Sequence, residues 1–174
     1  KDLLNVSKQK SVNLFIAYNR RFYASVIALR DNIENDGGLM SCNFEFTEWS
    51  HEIADLDLSG TIKSNWLVAN SSHVIDLAFF IVGKPISLTS YHAGRLDWHP
   101  SASRFAGAGR CRNEVLFSYL ANWDSAGRWA LEFMTCENRY ILRPIEKLTK
   151  VKKGEIKEGN VKGIDYLLDV KFKP

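Results

Sequence analysis

The chain has 174 residues, 45% hydrophobic and 25% charged, which is enough length and apolar content for one sizeable core. Its 23 Lys and Arg against 20 Asp and Glu leave a formal charge of +3, too small and too evenly interleaved to direct it to nucleic acid or a membrane surface. Three cysteines, Cys42, Cys111 and Cys136, have no C-x-x-C spacing, so neither a disulfide framework nor a zinc site is expected. Reduced thiols in a cytoplasmic protein fit this usage. No signal peptide precedes the first element, and the longest apolar run, Val74 to Val82, is broken by Asp76 and too short to span a bilayer.

In chain order, Lys1 to Lys10 reads as the last turns of a helix, and Val12 to Tyr18 as a short apolar strand. The chain opens in mid-architecture. Tyr23 to Asn35, with Val26, Ile27, Leu29, Arg30 and Ile33 at helical spacing, predicts a helix that ends at Asp36-Gly37-Gly38. Leu39 to Trp49 alternates: Met40, Cys42, Phe44 and Phe46 point one way, Ser41, Asn43, Glu45 and Thr47 the other, as in a half-exposed strand. Ser50 to Lys63 reads as a loop framed by Trp49 and Trp66. Asn65 to Pro85 is the central stretch, a buried helix capped by Asn70-Ser71-Ser72 and stopped by Gly83 and Pro85.

From Ile86 the period changes from 3.6 to 2. Strands are expected over Ile86–Ala93, Ser103–Cys111, Glu114–Trp123, Arg128–Cys136 and Arg139–Pro144, joined by short polar turns into an antiparallel meander. Glu146 to Lys162 reads as an edge strand and solvated loop. Helices followed by strands argue for an α+β domain: an open, predominantly antiparallel sheet with helices covering one face. Aromatic residues on both sides of several strands (Phe44, Phe46, Trp49; Phe117, Tyr119, Trp123; Trp129, Phe133) predict a partly apolar open face that pairs with a second copy in a homodimer or higher homo-oligomer.

Two ionisable groups stand inside the central helix, His73 and, three residues on, Asp76, a spacing that brings side chains to one face. A structural reading stands beside the functional one: the His ring bonding a neighbouring carbonyl, Asp76 satisfying a backbone N–H. The Gly-rich piece Phe105 to Arg110 lies among strands and opens no helix, so it is not a dinucleotide fingerprint.

The pattern H-x-x-D-x-x-x-x-x-x-G-x-P, present as His73, Asp76, Gly83 and Pro85, resembles a segment of the glucose-fructose oxidoreductase / inositol dehydrogenase / MocA-type family of NAD(P)-dependent oxidoreductases. Leu14 to Phe22 is similar to that family's exit from its nucleotide-binding domain, and Asp36-Gly37-Gly38 to the turn before its first sheet strand. Trp129 to Pro144 is similar to a late hairpin, with Asn138 where a Gly is usual. The resemblance implies that residues 1–20 are the remnant of a nucleotide-binding domain and 21–174 a substrate-binding and oligomerisation domain truncated at its C-terminus.

What the resemblance implies for chemistry is hydride transfer between NAD or NADP and a sugar, cyclitol or related polyol in a full-length parent. His73 is the expected base, since imidazole titrates near neutral pH. Asn70, Asp76, Trp49, Trp66 and Arg20 are candidate substrate contacts and Asn19 a candidate cofactor contact; no metal is expected. The family's acid four residues before the His is Ala69 here, with Asn70 following. Most of the nucleotide domain and its catalytic lysine would precede Lys1, so this piece alone is expected neither to hold NAD(P) tightly nor to turn over. The alternative is a non-catalytic ligand-binding or protein-interaction domain that uses its open sheet.

Overall fold

The computed structural model describes residues 2–166 and 169. Its helices are α1 (Asp2–Lys10), α2 (Ala24–Asn35), α3 (Ser50–Asp55), α4 (Gly60–Ser64) and α5 (Ser72–Val82), with a 3-10 turn over Asn19–Phe22 and a π-helical turn over Leu67–Ser71. The strands are β1 (Ser41–Glu45), β2 (Pro85–Ala93), β3 (Arg104–Cys111), β4 (Leu116–Asn122), β5 (Ala130–Met134), β6 (Asn138–Leu142), β7 (Leu148–Lys152) and β8 (Gly159–Asn160).

They form one sheet in the order β2-β3-β4-β1-β5-β6-β7-β8. All neighbours are antiparallel except β1 and β4, which run parallel. The expected α+β class, with a predominantly antiparallel sheet, is the observed one. The unbroken meander is not: β1 lies between β4 and β5, so residues 123–129 carry the chain past β1 and make no hairpin. Alternation shows that a segment is a strand, whereas its neighbours depend on which edges the rest of the sheet leaves open.

Val26, Leu29 and Ile33 of α2 and Val74, Leu77, Ala78 and Val82 of α5 share one core with Cys42, Phe44, Phe117, Leu131, Phe133, Tyr140, Leu142 and Leu148. The strand register aligns Phe44 with Tyr119 and Leu131, and Cys42 with Phe117 and Phe133. Phe44, Phe117, Tyr119 and Phe133 therefore share the helix-covered face, where these strands were expected to carry aromatics on both sides. Tyr91 and Leu120 both pair with Ala106 on the opposite face, where Tyr91 is 71% exposed and Leu116 and Leu120 57% each.

The glycines of β3 serve this packing. A Cβ on Gly107 would lie 2.5 Å from the Tyr119 ring, and one on Gly109 2.7 Å from the Phe117 ring and 2.0 Å from the Ser87 carbonyl oxygen. They make room for rings. Helix α5 stops at Gly83, whose φ of 93° is cheap only without a Cβ.

Three local expectations are corrected. Residues 12–18 form no strand, and Val12, Leu14, Phe15 and Ile16 are 49–83% exposed, because no strand edge among the described residues lies beside them. Residues 50–63, expected as a loop, hold α3 and all but the last residue of α4; Ser59 caps the latter through Ile62 N–H. Asn70, Ser71 and Ser72 cap nothing: the backbone is already helical at Ser71, and their side chains bond elsewhere.

Asp36, just past α2, ties that helix to the β5–β6 turn. Its Oδ2 accepts from Thr135 Oγ1 at 2.7 Å, Asn138 Nδ2 at 2.8 Å and the Tyr140 hydroxyl at 2.8 Å. Burial works to raise the Asp36 carboxyl, but the hydrogen bonds from Asn138, Thr135 and Tyr140 outweigh it and hold it below its ordinary range. Asn138, standing where the resembled hairpin has a Gly, has a side-chain task.

Candidate functional site

The site is assembled where the 3-10 turn packs on the start of α5. Arg21 donates from Nε to Asp76 Oδ2 at 2.7 Å and from Nη2 to Oδ1, a forked pair that pins the turn to the helix. The Arg21 guanidinium also lies over Phe80, 4.7 Å from its centroid. Hydrogen bonding to Asp76 stabilises this cation further and raises its pKa. Both carboxylate oxygens of Asp76 are thus engaged by Arg21.

Tyr18, just before the turn, meets the His73 ring edge-on at 5.3 Å and 83°. His73 is half-buried, and its Nδ1 is enclosed with no hydrogen-bond partner among the described residues. With Nδ1 enclosed, Nε2 is the ring nitrogen that can act on a ligand. Burial lowers the His73 pKa from 6.5, the positive charge of Arg20 lowers it again, and Asp76 opposes both. The neutral imidazole, the form that accepts a proton, is favoured. The π-helical turn directly before α5 is a rare local geometry that recurs at functional sites.

A second group adjoins the first through Trp129. The Arg20 guanidinium lies over this indole at 4.6 Å and that of Arg128 at 5.0 Å; Arg128 also lies 4.9 Å over Trp49. Arg128 Nη1 donates to Glu48 Oε2 at 3.0 Å, while Glu48 Oε1 accepts from Ser71 Oγ at 2.6 Å and Asn70 Nδ2 at 3.0 Å. Glu48 is only 1% exposed. The Asn70-Ser71 pair before His73 is therefore anchored through a buried carboxylate to Arg128.

Among the residues expected from the sequence, His73, Asp76, Arg20 and Asn70 come together here, with Asn19 opening the same 3-10 turn. The two tryptophans do not meet. Trp49, 47% exposed, donates Nε1–H to the Gly127 carbonyl at 2.9 Å, whereas Trp66 packs edge-on against Trp98 at 6.4 Å. His92 and His99 line a cavity of about 410 Å³ with Tyr91, Ser101, Phe105 and Tyr119, and His73 is not part of its wall. Among the described residues no group of His, Cys, Asp and Glu is arranged to hold a metal ion, and no helix is long and apolar enough to cross a membrane.

Sequence reasoning missed Tyr18, Arg21, Glu48, Arg128 and Trp129 as site members. One signal was present for Glu48: it continues the parity of Cys42, Phe44 and Phe46, so a carboxylate was due on the buried face and needed partners.

No family model and no curated protein matches the chain. Solved structures are similar. A dehydrogenase from Clostridium difficile superposes with a TM-score of 0.71 at 16% identity, over 98% of this chain and 53% of its own. Levoglucosan dehydrogenase in complex with NADH and levoglucosan gives 0.69 at 18% identity, over 88% of this chain and 48% of its own. UDP-N-acetylglucosamine 3-dehydrogenase from Acidithiobacillus ferrooxidans gives 0.66 at 13% identity, over 97% and 53%. The chain shares the fold of half a dehydrogenase. These structures are of the glucose-fructose oxidoreductase type, and at such identities the likeness establishes the fold alone. The chain spans about half their length.

Proposed function

We propose that the chain is the substrate-binding and subunit-contact half of an NAD(P)-dependent oxidoreductase that oxidises or reduces a carbinol carbon of a sugar, cyclitol or related polyol. The observation that carries this reading is His73, a half-buried imidazole kept neutral at the start of α5, in a fold shared with dehydrogenases. Oxidising a carbinol requires removal of the hydroxyl proton, and His73 Nε2 is the group that takes it. Arg21 and Asp76 position the turn against the helix, and Glu48 holds Asn70, whose carbonyl oxygen is left to accept from a substrate hydroxyl.

The nicotinamide cofactor supplies the hydride partner. The described residues do not fit its dinucleotide: the Gly-rich strand β3 is filled by the Phe117 and Tyr119 rings and leaves no cradle for a pyrophosphate. A second domain of the parent protein would hold it. The exposed apolar residues Val12, Leu14, Phe15 and Ile16 support such a covering domain.

The whole protein should reduce NAD or NADP with at least one sugar or polyol in a panel of hexoses, inositols and alditols. No reduction by any of them, in either cofactor, would sink the dehydrogenase reading. The alternative, a non-catalytic binding or interaction domain, is favoured by Ala69, exposed in the π-helical turn where the resembled family has an acid. The open sheet face, with Tyr91, Leu116 and Leu120 exposed, supports self-association in both readings. Light scattering should return a dimer or larger; a strict monomer at high concentration rules that surface out as a stable interface.

A further inference from the structure

Arg20 is a cation that no acid among the described residues bonds. The two nearest arginines of the site are each matched: Arg21 is forked onto Asp76 and Arg128 bonds Glu48. Arg20 forms no hydrogen bond or ion pair with any acid among the described residues. Tyr23, Glu146 and Glu48 raise its pKa through space, but none of them bonds it, and Asp169 is engaged by the Ala24 N–H at 2.6 Å. Burial nevertheless lowers the Arg20 pKa, so this charge is partly desolvated. Desolvating a charge without a counter-ion is costly, and a fold accepts it where a ligand completes the pair.

The geometry fits a receptor. Stacking on Trp129 at 4.6 Å fixes the plane of the guanidinium and leaves its N–H edge for an acceptor in that plane. The same charge is felt at His73, and the 3-10 turn that carries Arg20 is held on the start of α5 by the Arg21–Asp76 pair. Two polar atoms of the neighbouring rings, His73 Nδ1 and Trp129 Nε1, are buried and have no hydrogen-bond partner among the described residues. A planar fork of N–H donors beside a proton acceptor matches an oxyanion carried a short distance from the reacting hydroxyl.

We infer that Arg20 receives an oxyanion of the substrate, so that the sugar bound beside His73 is an anionic one: a sugar acid, or a sugar bearing phosphate. This rests on the proposed function for its site and adds the class of substrate. A neutral polyol would leave Arg20 desolvated and unmatched, and the site therefore discriminates against it.

The test reads binding to the whole protein without nicotinamide, by calorimetry, with glucuronate, UDP-glucose and glucose as probes. At least one anion should bind about 10-fold or more tightly than glucose, and rising salt should erode the difference. Glucuronate preferred identifies a carboxylate as the source; UDP-glucose alone preferred identifies a phosphate. In Arg20→Met, which keeps an aliphatic stem on Trp129, the ratio of anion to glucose affinity should fall to about one, and in Arg20→Lys to an intermediate value. Glucose bound as tightly as both anions, neither anion bound, or a ratio unchanged in Arg20→Met overturns the inference. Failure here is separable from failure of the dehydrogenase reading: nicotinamide reduction with neutral polyols alone removes the anion site and keeps the enzyme, whereas anion binding with no reduction does the reverse.

Discussion

Replacing His73 with alanine is expected to lower the kcat/KM of the whole protein by roughly 100- to 10,000-fold, the range in which a positioned general base acts. Stability should change little, since the half-buried ring makes no hydrogen bond among the described residues. The pH dependence carries the sharper signature. Burial, and then the charge of Arg20, lower the His73 pKa, so the midpoint of its titration falls below the ordinary 6.5. The acid limb of kcat/KM should therefore lie below the ordinary imidazole value, with a plateau through neutral pH. Removing the Arg20 charge in Arg20→Met should move that limb toward higher pH. A His73→Ala protein that keeps its full rate, or an acid limb above 6.5, would show that the proton goes elsewhere.

Substituting Glu48 by alanine should destabilise the protein by about 3 kcal/mol, because it removes charge-assisted hydrogen bonds and leaves buried donors without an acceptor. Ser71 is fully buried and Asn70 partly so, and both bond the lost carboxylate. For a chain of this size that corresponds to a fall of roughly 10 °C in Tm, measured by calorimetry. Glu48→Gln, which keeps an acceptor for Ser71 and Asn70 but loses the pair with Arg128, should lose less than half as much. Activity should fall in Glu48→Ala beyond what stability explains, through a higher KM, because Asn70 and the turn before His73 lose their anchor. A Glu48→Ala protein as stable as the wild type would mean that the network is not held dry.

Much of the fold was legible because its signals are local. The period of 2 from Ile86 onward and the period of 3.6 in the central stretch follow from how successive side chains point in strands and helices. Strands β2 to β6 stand close to where alternation places them. Gly83 ended the helix because a φ of 93° excludes most other residues, and Asp36-Gly37-Gly38 ended α2 for the same reason. Part of the site was legible too. His73 and Asp76 were the only ionisable groups in an apolar run, and a charge in a core element needs a task.

What the sequence by itself determined is thus most of the inventory: α1, α2 and α5, the sheet strands from β1 to β7, the buried parity of β1, and an imidazole at the head of the central helix. Tertiary structure decided the rest. It placed β1 between β4 and β5, joined Glu48 to an arginine 80 residues away, engaged Asp76 with Arg21 across 55 residues, and stacked Arg20 on Trp129 with no acid among the described residues bonding it. These pairings depend on which edges and charges remain unmatched once the local elements have packed. Periodicity states which way a side chain points, and only packing states what it meets.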